Sequence, residues 1–553
     1  MLHTSSIYLA IFALIQPLCV LSSSGIAQGR SPLNATVGGV ERDELAPVMS
    51  ADGSGLPYEL WRGLDVTSLE TLISELEIPP RSPALHGLWK RLITSHVAPQ
   101  SGASADTKFT ALRLEALYRS GLGQEAASEL SKLSAADDPN LSALAARNAL
   151  ASGNSNQACE ITQKAAGLKS QMPKQLKAQA ILMAGYCAVL AKDTAGAGLA
   201  AEIAREEGLE QSLALDALDA ISIGTKIQPV PTQKISLIDY RLSESAGGLP
   251  HKSVLDHGEP ALLVALANDP ATPANLGMPA SEAAARLNAL SAETLAAIYR
   301  ANAKSESADA LLSASASSQL DRRVSLFKAA ESEQTPQKKT RLIRAFLDDA
   351  KAHGMTLTAL QMVAATTAQI NPQPELSWFA ETACEIGLAS GQTDVTRRWV
   401  ALDPSLAHWL ALADIADATK SGRDADLTAL ENLAVRGRFS SDALHRLATV
   451  LDALNYNVPI PLWDAASRTP QPSGGYLPPT GVLSSLQDAA KKKEFGRTVL
   501  LVMKTIGPNE ADGAHMIALG DSIRALKRAG LESEARRLGV EALIESWPRM
   551  ATN

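Results

Sequence analysis

Four ten-residue segments share one pattern: LYRSGLGQEA at 117–126, ALASGNSNQA at 149–158, AVLAKDTAGA at 188–197 and LKRAGLESEA at 526–535. In each segment a turn residue is followed five positions later by alanine; the turn residues are Gly121, Gly153, Lys192 and Gly530. Glycine readily adopts the left-handed conformation that ends a helix, and the small alanine lets a second helix pack closely. The first three segments lie within Phe109–Glu207, which therefore reads as three consecutive helix–turn–helix units.

This pattern resembles the tetratricopeptide repeat. Gly153 follows Gly121 by 32 residues and Lys192 follows Gly153 by 39, which brackets the repeat length of about 34 residues in that family. The resemblance implies a superhelical array of antiparallel helix hairpins, a solenoid. The alternative is a set of alanine-rich hairpins outside that family.

Composition agrees with an all-α fold without a substantial sheet. Hydrophobic residues make up 46% of the 553 residues and aromatic residues only 4%, so alanine and leucine supply most of the apolar surface. Alanine has the highest helix propensity. The net charge of -8 argues against a nucleic-acid partner, because binding to phosphates needs a basic surface.

The first residues resemble a secretory signal. An apolar run from Ile7 to Leu21 is followed by the small residues of Gly25-Ile26-Ala27, which predicts cleavage after Ala27 and a periplasmic or secreted chain. An uncleaved N-terminal membrane anchor is the alternative. We expect no transmembrane span in the mature chain.

Proline- and glycine-rich stretches divide the rest. The predicted organisation is: signal peptide 1–27; flexible leader 28–56; tetratricopeptide-like helical repeats 57–224; linker 225–258; middle helical repeats 259–454; Pro/Gly-rich loop 455–481; C-terminal helical hairpins 482–553. Trp463 and Tyr476 lie inside the 455–481 loop, which predicts that this loop docks on a surface.

Three cysteines remain after the predicted cleavage site. Cys159 lies early in the second helix of one hairpin and Cys187 in the first helix of the next. In an oxidising compartment this placement predicts a disulfide between the two; two buried thiols are the alternative. Cys384 has no histidine or aspartate at a spacing that would activate it, so we expect a buried structural thiol.

The sequence contains no recognisable catalytic, cofactor-binding or metal-binding constellation. His251 and His257 have Asp256 and Glu259 nearby, but without the spacing of a helical metal motif we interpret them as polar loop residues. We therefore predict no enzymatic activity, no cofactor and no bound metal.

Two classes of function remain open. The first is a protein-binding or scaffolding protein of the bacterial cell envelope, with another envelope protein or a peptide as partner, since stacked hairpins present extended binding surfaces. The chain resembles exported bacterial α-helical-repeat proteins in its signal, hairpin joints and alanine-rich helices. The second is an accessory subunit or superhelical domain of a cell-wall-acting enzyme, because some bacterial wall-degrading lyases carry a long α-superhelix.

Overall fold

A computed structural model of the chain describes residues 55–99, 103–133, 138–167, 174–227, 234–304, 306–313, 320–420 and 426–549. These ranges hold 29 α-helices, a few short 3₁₀ segments and no β-strand. The predicted all-α fold is therefore confirmed. The predicted signal peptide and nearly all of the predicted leader lie outside the described residues.

The first nine helices cover the region of the predicted hairpins. They are α1 (Val66–Ser74), α2 (Pro83–Thr94), α3 (Ala103–Arg119), α4 (Gly123–Leu130), α5 (Pro139–Ala151), α6 (Ser155–Lys164), α7 (Lys174–Leu190), α8 (Thr194–Glu206) and α9 (Leu213–Ser222). Helices α3 and α4, α5 and α6, and α7 and α8 pack as sequential pairs. These are the three units predicted from Phe109–Glu207.

The turns have the predicted backbone geometry. Gly121 and Gly153 have φ of 76° and 77°, and Lys192 adopts the same left-handed region at 60° despite its side chain. The alanines five residues later, Ala126 and Ala158, are buried in the joints. Because a left-handed residue reverses the chain in very few residues, each pair of helices closes tightly.

The predicted disulfide is present. Cys159 on α6 is bonded to Cys187 on α7, and their Cα atoms are 5.6 Å apart. The bond therefore links the second hairpin to the third. Cys384 is a free thiol and is fully buried, as predicted.

The structure differs from the predicted linker at 225–258. This segment contains α10 (Leu237–Ser245) and α11 (His251–His257). Ser236 and Asp239 form a capping box that starts α10, and Ile235 pairs through its backbone with His257 and Glu259. Gly247, Gly248 and Pro250, which suggested a linker, lie between these two helices, whereas Pro229 and Pro231 lie outside the described residues.

The middle of the chain contains further helices. They are α12 (Pro260–Asn268), α13 (Ala274–Arg286), α14 (Ala292–Asn302), α15 (Ala308–Ser313), α16 (Leu320–Ser332), α17 (Pro336–Ala352), α18 (Thr356–Met362), α19 (Ala364–Ala368), α20 (Ala380–Ala389), α21 (Thr393–Val400), α22 (Ala407–Ala416), α23 (Thr428–Val435) and α24 (Ser441–Ala453). Sequential pairs again dominate, with α12 on α13, α16 on α17, and α20 on α21.

The predicted 455–481 loop is also partly helical. It contains α25 (Ile460–Ser467), which packs on α23 and α24. Tyr476 docks as predicted: its backbone exchanges hydrogen bonds with Gly513 and His515 at 2.9 and 3.0 Å. Trp463 is not covered in this way, since its side chain stays 48% exposed.

The last helices are α26 (Thr480–Lys491), α27 (Phe495–Ile506), α28 (Met516–Arg528) and α29 (Glu532–Ile544). Helices α28 and α29 form the predicted final hairpin, and the turn residue Gly530 has φ of 87°.

The described helices close on themselves. Helix α2 packs against α27 and α29, and the backbone N–H of Gly496 donates to the carbonyl of Leu60 at 2.9 Å. Lys504 forms an ion pair with Glu75 at 2.6 Å. Buried apolar side chains from Leu56 to Trp547 form one continuous core. The N-terminal helices are therefore packed into the C-terminal hairpins.

Candidate functional site

A cavity of about 630 Å³ lies where the array closes. Three distant parts of the chain line it: Arg81 before α2, residues of α11, α13 and the turn into α18, and the C-terminal segment around 509–513 with Glu545. Its volume is in the range of small-molecule sites. Because its walls come from both ends of the array, the cavity exists only when the array is closed.

One wall is acidic. Glu510, Asp512 and Glu545 all line it and all come from the C-terminal segment. Partial burial, followed by the negative charges of Asp512 and Glu545, raises the pKa of Glu510 to about 7, and the positive charge of Arg81 acts in the opposite direction. The Glu510 carboxyl therefore changes charge close to neutral pH.

The cavity lining also contains two arginines, Arg81 and Arg286. Arg286 ends α13, and its Nη1 donates to the carbonyl of His353 at 3.4 Å. Asn288, two residues later, donates from its side chain to the carbonyls of Pro80 and Arg81 at 3.0 and 2.5 Å. These bonds fasten the segment that bears Arg81 to the end of α13. The backbone at Arg81 is thus held near the end of α13, and the charge of Arg81 also acts on the Glu510 carboxyl.

The charges in the cavity are not paired with each other. Among the described residues, no ion pair within 4.0 Å joins Arg81 or Arg286 to Asp256, Glu510, Asp512 or Glu545. Both signs of charge therefore face the same solvent-filled space.

A buried carboxyl group joins the start of α2 to the acidic segment. Glu541 on α29 accepts hydrogen bonds from the Ser82 hydroxyl at 2.9 Å and the backbone N–H of Ala84 at 3.2 Å. Its other oxygen accepts from the N–H of Ala511 at 3.3 Å. Burial raises its pKa to about 8, although these donors act in the opposite direction. Glu541 therefore holds the start of α2 against the acidic segment.

A second candidate surface lies on α25. Ile460 and Trp463 are 82% and 48% exposed, whereas Leu462 and Ala466 on the other side of the helix are buried. Positions three apart share one helix face. The helix is therefore anchored by one face and presents an isoleucine and a tryptophan to solvent on the other.

The remaining candidate residues from the sequence lie elsewhere. His251 and His257 mark the two ends of α11. In the described residues, no three or more His, Cys, Asp or Glu side chains are placed so that they could hold one metal ion. Burial raises the pKa of the Cys384 thiol well above its usual value, which disfavours the reactive thiolate. Within the described ranges, no helix combines the length and apolarity that crossing a membrane requires.

The sequence alone did not identify Glu510, Glu541 or the two arginines of the cavity. These groups are 200 to 460 residues apart along the chain or stand as single charges among many, so local spacing carries no signal for them. The Pro- and Gly-rich segments at 79–83 and 507–513 were the available hint, since both interrupt helices and both border the cavity.

Comparison with protein-family models, with curated proteins and with solved structures found no match to this chain.

Proposed function

We propose that this chain is a non-enzymatic, protein-binding or scaffolding helical-repeat protein of the bacterial cell envelope. The observation that carries the proposal is the solvent-exposed face of α25 with Ile460 and Trp463. The Cys159–Cys187 disulfide supports an oxidising compartment. The predicted signal sequence supports export, and the tetratricopeptide-like joints support a repeat architecture.

The α25 face has the chemistry of a contact surface for a protein. Tryptophan is enriched among the residues that dominate binding energy, because it buries a large area with few rotatable bonds. Helix α25 is fixed by its contacts with α23 and α24, so little ordering is needed on binding. The matching partner surface is an apolar pocket or groove that receives the indole ring.

Site-specific photo-crosslinking tests this surface. A photo-reactive residue is placed at Ile460 in the full chain, expressed with its own N-terminus in a bacterial host whose envelope contains the partner. We expect one discrete adduct, and we expect Trp463→Ala to reduce its yield at least 5-fold, since loss of a central tryptophan typically costs about 2 kcal/mol or more.

A matched control uses Ile223, which is 74% exposed at the end of α9. The same photo-reactive residue at that position should not give the adduct. Equal adducts from both positions, or an Ile460 adduct that Trp463→Ala leaves unchanged, would contradict the proposal.

A specific observation favours a second candidate, the superhelical part of a cell-wall-acting enzyme. Glu510 lies in an open cavity and has a pKa of about 7, a value suited to a general acid. Incubating purified peptidoglycan with the chain and with Glu510→Gln tests this candidate. Release of soluble fragments by the unaltered chain, but not by Glu510→Gln, would favour the enzyme over the scaffold.

A further inference from the structure

The lining of the closure cavity carries charges of both signs, and the segments that bear them are fastened to each other. Asn288 fastens the segment with Arg81 to α13, and Glu541 links Ser82, beside Arg81, to Ala511, beside Glu510. These segments are therefore held in place before any ligand enters.

We propose that this cavity binds a short zwitterionic peptide, with its ammonium group at the Glu510, Asp512 and Glu545 wall and its carboxylate at Arg286 and Arg81. This site is separate from the α25 face and goes beyond a protein-binding function.

Charge composition favours a ligand that carries both signs. The lining has four carboxyl groups, counting Asp256, and two guanidinium groups. A ligand with only negative charge would face four carboxyl groups, and a ligand with only positive charge would be placed beside two arginines. A zwitterion puts each of its ends against the opposite charge, and each contact is a charge-assisted hydrogen bond.

Arg286 is suited to a carboxylate. A planar guanidinium can donate two parallel hydrogen bonds to one carboxylate. The chain holds Arg286 along the turn at Gly354: its Cδ lies 4.0 Å from the position that a Cβ on Gly354 would occupy. Because its Nη1 also contacts the carbonyl of His353, part of the orientation needed for binding is already present.

The volume and the openings suit a peptide of a few residues. The cavity of about 630 Å³ is larger than one amino acid requires, and Leu255, Leu287 and Leu357 add apolar side chains to its lining. Small side chains of the peptide would contact these leucines while its termini reach the charged groups.

Isothermal titration calorimetry of the full chain with trialanine tests the proposal. We expect saturable binding with a Kd between about 10 μM and 1 mM, a range given by a few charge-assisted contacts. N-acetyl-trialanine, which lacks the ammonium, and trialanine amide, which lacks the carboxylate, should each bind at least 10-fold more weakly. These probes require no mutation, so they do not depend on a variant folding.

Two variants assign the ends. Arg286→Gln should weaken the binding of trialanine at least 10-fold and leave the binding of trialanine amide unchanged. Glu510→Gln should also weaken the binding of trialanine at least 10-fold, but should leave the binding of N-acetyl-trialanine unchanged. Matched controls are Arg468→Gln and Glu202→Gln, whose side chains are 75% and 71% exposed and lie away from the cavity.

Three outcomes would overturn the proposal. The first is no saturable binding of trialanine up to 10 mM, about ten times the weakest expected Kd. The second is equal binding of trialanine and both blocked peptides. The third is binding of putrescine or succinate at least as tight as that of trialanine, which would assign the cavity to a plain cation or anion. None of these outcomes affects the α25 crosslink, so the two proposals can fail separately.

Discussion

Helix α13 carries charged residues into two contrasting environments one turn apart. Glu282 faces the interior, where it accepts two hydrogen bonds from Arg323 at 2.8 and 2.9 Å, and Arg323 is only 2% exposed and also bonds Asp349. Arg286, four residues later, faces the closure cavity without an ion-pair partner among the described residues. The interior charged groups form ion pairs with each other, whereas the charged groups that line the cavity remain available to solvent or to a ligand.

The contrast between Arg323 and Arg286 shows that a guanidinium group can serve either stability or recognition. A buried arginine requires its carboxylates, since an unpaired charge in the interior costs several kcal/mol. An arginine in a solvent-filled cavity has water as its partner and can exchange that water for a ligand. The interior cluster of Arg323, Glu282 and Asp349 therefore belongs to stability, and the cavity charges are available for recognition.

The largest expected effect comes from breaking the interior cluster. Arg323→Ala removes the guanidinium that bridges the two buried carboxylates, and leaves Glu282 with the Tyr299 hydroxyl and Asp349 with the longer Arg322 pair at 3.7 Å. We therefore expect the free energy of unfolding to fall by about 3–5 kcal/mol. Urea denaturation followed by circular dichroism measures it. A loss below about 1 kcal/mol would show that water replaces the guanidinium and that the two environments are alike.

A second, smaller effect is the pH dependence of the unfolding free energy caused by Glu541, which joins the start of α2 to the acidic segment. Its pKa rises from the usual 4.5 to about 8 on folding, so the folded chain holds its proton more tightly than the unfolded chain. The corresponding stability is complete below about pH 4.5 and is lost as the pH rises through about 8. We expect the unfolding free energy to fall by about 2–4 kcal/mol between pH 5 and pH 9.

Glu541→Gln identifies the group responsible. This variant cannot titrate, so its stability should change less than that of the unaltered chain over the same pH range. Glu202→Gln, at an exposed position, serves as the control and should keep the full dependence. An unchanged slope in Glu541→Gln would assign the pH dependence to other groups.

A third prediction tests whether the acidic wall depends on its docked support. Gly507 has φ of 83°, and a Cβ at this position would overlap the ring of Tyr476. Gly507→Ala should lower the unfolding free energy by about 1–3 kcal/mol. It should also weaken the binding of trialanine, because the substitution displaces the segment leading to Glu510. Gly474→Ala, where a Cβ meets open space, is the control. Unaltered stability in Gly507→Ala would show that Tyr476 gives the wall no support.

The smallest effect is expected at the cavity arginine itself. Arg286→Ala in the absence of peptide should change stability by no more than about 0.5 kcal/mol, as for other exposed positions. Thermal unfolding of this variant beside Arg323→Ala gives the comparison directly. A loss as large as that of Arg323→Ala would make Arg286 a structural residue and remove the contrast on which the peptide site rests.

Local features were predictable from the sequence and distant ones were not. The Gly121 and Gly153 turns, the alanines that follow them and the Cys159–Cys187 bond depend on residues within a few tens of positions, so periodicity and spacing were sufficient. The helix that begins at Leu237 was missed because prolines and glycines on both sides outweighed a capping box of two residues.

The packing of the N-terminal helices against the C-terminal hairpins could not be predicted from periodicity and spacing. Ser82 and Glu541 are separated by 459 positions, and nothing in their neighbourhoods marks them as partners. Trp463 shows the converse limit: its size suggested docking, but whether an aromatic side chain is covered depends on what the fold brings next to it. Tyr476, in the same segment, is covered because Gly507 leaves room for its ring.

The packing of α2 against α29 has a consequence for biosynthesis. When α2 leaves the ribosome, helix α29, which packs against it in the folded chain, is still about 450 residues from being made. At about 5–20 residues per second, this interval lasts from about 20 to 90 seconds. During that time the apolar surface of α2 that α29 later contacts is open to a holding chaperone, and truncation before α29 should leave an aggregation-prone product rather than a smaller folded array.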